Sequence, residues 1–135
     1  GFADPYGALY NWYAIDEGNV CPTGWHIPDD DEWTILTDFL GGEDIAGGKL
    51  KEAGTDHWND PNTGATNGSG FTALPGGYLQ EGGTYHSLGN VGHYWSSSEF
   101  NTDLAWDRYA YFQYNELTRD SFSKKYFFSV RCIKD

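Results

Sequence analysis

Catalysis needs a nucleophile, a base and a group that orients them, and this chain offers few candidates. Ser96-Ser97-Ser98 is its densest hydroxyl run, yet no Gly-x-Ser-x-Gly frame surrounds it. Gly41-Gly42 and Gly82-Gly83 lack both the Lys-Ser/Thr ending of a phosphate loop and dinucleotide-binding spacing. The four histidines are scattered and form no His-x-x-x-His pair. His26, set between Trp25 and Ile27, reads as a structural imidazole, because a metal needs convergent ligands. With 20 acidic residues some carboxylate pair will match glycosidase geometry by chance, so that signal carries nothing alone. Cys21 and Cys132 make no CxxC motif or Cys/His cluster. They read either as buried thiols or as a bridge closing a loop of roughly 110 residues, worth about 4–5 kcal/mol. The residues point away from an enzyme and name no cofactor or metal site.

Binding chemistry is better represented. Along the stretch 104–112, Trp106, Arg108, Ala110 and Phe112 alternate with Asp107, Tyr109, Tyr111 and, one step on, Gln113. The first set is expected to face the core, with Arg108 snorkelling or paired to a carboxylate. The second presents two tyrosines beside an acid and an amide, and Tyr114 and Asn115 follow directly. Tyrosine and asparagine supply broad amphipathic contact and adaptable hydrogen bonds at small entropic cost. With Asn101 and Asp103 from the preceding turn, the candidate ligand-binding set is Asn101, Asp103, Asp107, Tyr109, Tyr111, Gln113, Tyr114 and Asn115. The alternative is an ordinary strand face covered by a neighbouring loop. The oxygen-rich loop from Gly54 to Gly70 leaves calcium open, although its spacing matches no EF-hand and turn chemistry accounts for its Asn and Asp residues.

The elements that must position these residues start from Val20 to Trp33. Pro22 and Pro28 bracket a short strand at Trp25-His26-Ile27, and Asp29 or Asp30 then caps a helix. Trp33, Leu36, Phe39 and Leu40 recur at helical spacing until Gly41-Gly42 stops the run. A second helix is expected from Asp44 to about Ala53, weakened by Gly47-Gly48 unless another backbone approaches closely. Strands are expected at Ala8–Ala14, at Phe71–Leu79 interrupted by Pro75, at Tyr94–Ser98, at Leu104–Phe112 and at Phe127–Ile133. Asn115-Glu116 and Arg119-Asp120 then fall in a connection. Short early helices followed by antiparallel strands give an α+β class.

The 135 residues fit one domain, and 18% aromatic content with 18 glycines describes a loop-rich globular chain held by aromatic anchors. A net charge of −12 argues against nucleic acid and anionic membranes as partners. No stretch is apolar for long enough to insert in a membrane. The opening Gly1-Phe2-Ala3-Asp4 carries no signal peptide, and the expectation is a mature product or one domain of a longer protein.

Taken together, Cys21-Pro-x-Gly-Trp-His-x-Pro-x-x-x-Glu-Trp33, Leu74-Pro-Gly-Gly-Tyr78, Tyr94-Trp-Ser-Ser-Ser-Glu99, Ala105-Trp106 and Phe128-Ser-Val-Arg-Cys132 resemble the Fibrobacter succinogenes major paralogous domain. The resemblance spans nearly the whole chain. It implies a bacterial secreted or surface module with a C-type-lectin-like fold, two short helices early and small twisted antiparallel sheets. Related modules include formylglycine-generating enzymes and retroelement-diversified variable proteins. The fold relationship also implies a disulfide between Cys21 and Cys132. Formylglycine-generating enzymes use two closely spaced late cysteines, whereas this chain has only Cys132 there, so their activity does not transfer. The expected function is noncatalytic binding of a glycan or protein ligand outside the cell. A sharper expectation is retroelement diversification of Asn101 to Ser123, rich in residues reachable from adenine-containing codons. The rivals are a structural domain of a surface lipoprotein or adhesin and a polysaccharide-active hydrolase.

Overall fold

Asp29 starts the longest helix through a reciprocal capping box: its carboxylate accepts from Glu32 N, and the Glu32 side chain accepts from Asp29 N. A computed structural model describes residues 3–135, and the opening Gly1-Phe2 lies outside them. In chain order the elements are α1 (Ala3–Tyr6), α2 (Trp12–Glu17), β1 (Trp25–His26), α3 (Asp30–Phe39) and α4 (Glu43–Leu50). There follow β2 (Tyr78–Leu79), β3 (Tyr85–His86), β4 (Val91–Glu99), β5 (Leu104–Tyr111), β6 (Leu117–Ser123) and β7 (Ile133–Lys134). Helices early and antiparallel strands late make the chain α+β.

Three local expectations need correcting. The aromatic stretch Ala8–Ala14 is not a strand: Asn11 caps a helix by accepting from Ala14 N, and Gly18 closes it in the left-handed conformation. Trp12 and Ile15, three apart, are its buried face, so capping and helical spacing override β propensity. Only Tyr10 keeps a strand-like bridge, to Phe128. In α3 the inward stripe is Trp33, Thr37 and Leu40, while Phe39 is 85% exposed. Six residues beyond Trp33, Phe39 falls on the opposite side of a 3.6-residue turn. The stretch 113–126, expected as a connection, contains strand β6.

The main sheet has the order β4-β5-β6, antiparallel throughout. Its register places Tyr109 opposite His93 on one side and opposite Thr118 on the other. Pairs β1-β7 and β2-β3 form two small ribbons. The expected last strand reduces to β7, with Phe127, Phe128 and Ser129 making isolated bridges to Leu79, Tyr10 and Tyr94.

Two aromatic cores flank this sheet. Trp33, Leu40, Ala46, Leu50 and Trp58 pack with Tyr94, Ala110 and Leu117 beneath α3 and α4. Trp12, Ile15 and Ile27 pack with Trp95, Ala105 and Phe128 on the other side. Indole N–H groups anchor the loops, Trp58 to Ala73 O at 2.9 Å and Trp95 to Tyr10 O at 2.7 Å. A disulfide joins Cys21 to Cys132, with Cα atoms 5.9 Å apart.

Candidate functional site

Strand alternation divides β5 as the sequence indicates, but each face is covered to a different extent. Arg108 points to the α3 side, where its guanidinium donates to Asp30 Oδ1 at 2.7 Å. Arg119 of β6 reaches the same carboxylate at 2.7 Å and stacks on Trp106 at 3.6 Å. These two hydrogen-bonded guanidiniums hold Asp30 below the usual carboxylate range, outweighing a burial cost that alone would raise it.

On the opposite face, Asp107 cannot meet a ligand at the surface. It is fully buried, and His93 Nδ1 lies 2.6 Å from its Oδ2 while Oδ1 has no partner. Burial pushes this carboxyl up to about 6 against the pull of His93. The His93 ring stacks on Phe128 at 4.3 Å and meets Tyr109 at 4.9 Å. The pair therefore sits under Tyr109 and supports it.

Beyond Asp107 the face opens. Tyr109, Tyr111, Tyr114, Glu116 and Thr118 line a cavity of about 450 Å³ at the β5–β6 hairpin. The Tyr111 and Tyr114 rings lie 5.6 Å apart and 29° from parallel. Tyr114 N donates to Tyr111 O, which closes the turn that brings these rings together.

Lys51 holds this turn from behind. Its ammonium is fully buried and donates to the carbonyls of Thr63 at 2.9 Å, Tyr111 at 3.1 Å and Tyr114 at 2.9 Å. Trp58 lies 5.4 Å away, within cation–π range. Burial pulls the ammonium down to about 8, and no carboxylate among the described residues pairs with it. Lys51 ends α4 in an extended conformation, and sequence alone shows only a helix-terminal lysine.

The other expected site residues are spread out. Asn101 closes its own turn, its Oδ1 accepting from Asp103 N and Leu104 N. Asn101 and Asp103 belong to the β4–β5 turn, separated from Tyr111 by the length of β5, about 25 Å. Gln113 is exposed in the tyrosine turn. Asn115 is turned inward, its side chain filling a notch between Gly48 and Gly64 where no Cβ would fit. Glu116 and Thr118 lie outside the set expected from sequence and join the cavity at the start of β6. Had β6 been recognised, Thr118 would have stood opposite Tyr109.

Among the described residues no group of three or more His, Cys, Asp or Glu could hold a metal. The loop 54–70 is tied to itself and to its flanks: Asn62 Nδ2 donates to Glu52 O and Gly54 O, and Asn67 Nδ2 donates to Thr72 Oγ1. A second cavity of about 410 Å³ lies beside α3, bounded by Pro28, Leu36, Phe39 and Phe71. Its polar neighbours are occupied, Glu32 by His26 and Arg131 by the Phe71 and Thr72 carbonyls.

A family model described as the Fibrobacter succinogenes major domain matches residues 3–134. No curated protein and no solved structure matches the chain.

Proposed function

This chain belongs to the Fibrobacter succinogenes major domain family, and we propose that it is a noncatalytic, extracellular ligand-binding module with a C-type-lectin-like arrangement. The observation that carries this reading is the convergence of Tyr109, Tyr111 and Tyr114 on one open cavity whose turn is anchored from behind by Lys51. Partly exposed tyrosines held rigidly give a large contact area without ordering cost on binding. A disulfide between distant parts of the chain supports an oxidising, extracellular setting. The ligand is a glycan or a protein, and diversification of Asn101 to Ser123 would alter the tyrosine turn on a scaffold kept by buried Asp107, Arg108 and Leu117.

The test is binding of the purified domain to a mixed array of glycans and surface proteins, with calcium and with chelator. A Tyr109→Ala/Tyr111→Ala/Tyr114→Ala variant, checked for folding by circular dichroism, runs beside it. The reading expects a hit that the variant loses. Binding that the folded variant retains would move the site elsewhere.

A second reading, an assembly domain of a surface lipoprotein or adhesin, draws on Ile35 and Phe39, 70% and 85% exposed on α3. It expects Phe39→Ser to weaken association with a neighbouring domain while the tyrosine variant leaves that association intact.

A further inference from the structure

The tyrosine cavity has a sign. Glu116 lines it and is exposed, and Asp120 stands on the same face of β6, two residues past Thr118. The Tyr109 hydroxyl is held above its ordinary ionisation range by burial, against a hydrogen bond to Thr118 that lowers it, with the charges of Asp120, Asp107 and Glu116 adding to the rise. A cation lying over a tyrosine ring would meet the negative side of its quadrupole.

None of the eight Lys and Arg residues lines the cavity, and the nearest ammonium, Lys51, lies behind the turn. Arg108 and Arg119 are on the opposite face with Asp30, Lys124 pairs with Glu99, and Lys51 is spent on carbonyls behind the turn.

The turn also keeps its main chain to itself. Tyr111 O and Tyr114 O face Lys51, Phe112 N donates to Asn90 O, Phe112 O accepts from Thr63 N, and Asn115 O accepts from Gly48 N. At the turn a ligand therefore meets aromatic rings, hydroxyls and a carboxylate rather than free main-chain groups, and the one strand edge nearby is that of β6. That suits a sugar better than an extended peptide, which needs main-chain pairing.

We infer that the cavity takes an amino sugar, whose protonated amine binds at Glu116 while its pyranose ring lies on the tyrosines. This rests on the ligand-binding reading above. A charge-assisted hydrogen bond to the carboxylate and cation–π attraction to the rings both favour the ammonium over a neutral amide. Uronate and sulfated sugars would meet only like charge.

The test is isothermal titration of the domain with glucosamine tetramer, N-acetylglucosamine tetramer and galacturonate tetramer. A pH of about 5.5 keeps exposed carboxylates ionised. The amine form should bind roughly ten- to a hundredfold more tightly than the acetylated form, with the galacturonate silent. Glu116→Gln should collapse that preference. Equal affinity for amine and acetylated tetramers overturns the inference and leaves a glycan-binding face standing. A lysine-rich peptide that binds where all three sugars fail, with Tyr111→Ala abolishing its binding, overturns it in favour of a protein ligand. Sugar binding that survives Tyr109→Ala/Tyr111→Ala in a folded domain overturns both the inference and the reading beneath it.

Discussion

The Lys51 ammonium lies 2.9 Å from the carbonyl oxygen of Tyr114, more than sixty positions later in the chain. One buried cation thus ties the end of α4 to the turn carrying two of the three cavity tyrosines. Lys51→Ala removes a donor from three carbonyls, and of these only Tyr111 O keeps another, Tyr114 N. The expected loss is at least about 2 kcal/mol in urea unfolding, from the two acceptors left unsatisfied. Amide exchange at Tyr114 should accelerate. A variant within about 0.5 kcal/mol of the parent, the range of ordinary surface changes, would show that Lys51 does not anchor the turn.

Asp107 gives a pH signature. Its folded carboxyl titrates at about 6, above the unfolded value of about 3.9. Between those values the folded chain holds a proton that the unfolded chain has lost, so this group's contribution to stability falls as pH rises. Compared with Asp107→Asn, the parent should therefore gain stability as pH drops from about 6 to about 4, by on the order of 2 kcal/mol. Paired urea titrations across that window check it. A flat difference would mean that the carboxyl titrates alike in both states.

The disulfide spans 111 positions. Chain-entropy arithmetic gives about 4–5 kcal/mol for a loop of this length. Cys21→Ala/Cys132→Ala should lose about that much, and a reductant should bring the parent to the same urea midpoint. A reductant effect that persists in the double variant would assign the loss to something other than this bond.

Gly47 and Gly48 lie against the hairpin, where a Cβ would collide with the Glu116 carbonyl at the first position and with Asn115 Oδ1 and Gly64 O at the second. In an open helix Gly→Ala would stabilise. Here Gly47→Ala should destabilise by about 1–3 kcal/mol, because the obstacle is backbone and cannot rotate away. An increase in thermal midpoint would show that the helix and hairpin separate freely.

Much of the framework could be read from local chemistry. The α3 start is legible because Asp29 or Asp30 can cap it, and the structure selects Asp29, while β1 is legible because Pro22 and Pro28 constrain a short extended run. Gly47-Gly48 points to a close backbone approach without naming the partner, which is residues 115 and 116 beside Gly47 and Gly64 beside Gly48. For Arg108 the sequence leaves snorkelling or a carboxylate partner, and the structure has the partner, Asp30. Strand β6 was missed because Leu117-Thr118-Arg119-Asp120 belongs to an edge strand whose exposed residues are polar, leaving too few apolar positions to reveal the period of two.

The sequence by itself determined the α+β class and the alternation that puts Tyr109 and Tyr111 on one face of β5, which depend on near neighbours, and the family, which depends on the order of motifs along the chain. Tertiary structure alone decided which half of that face is open. Asp107 and Tyr109 share a side, but packing of Phe128 and His93 buries the first and leaves the second partly exposed. It also decided that Glu116 and Thr118 join the tyrosines, that Asn115 serves a glycine notch, and that Lys51 secures the turn from beneath. These relationships depend on sheet register and on contacts between distant segments, which composition and periodicity do not encode.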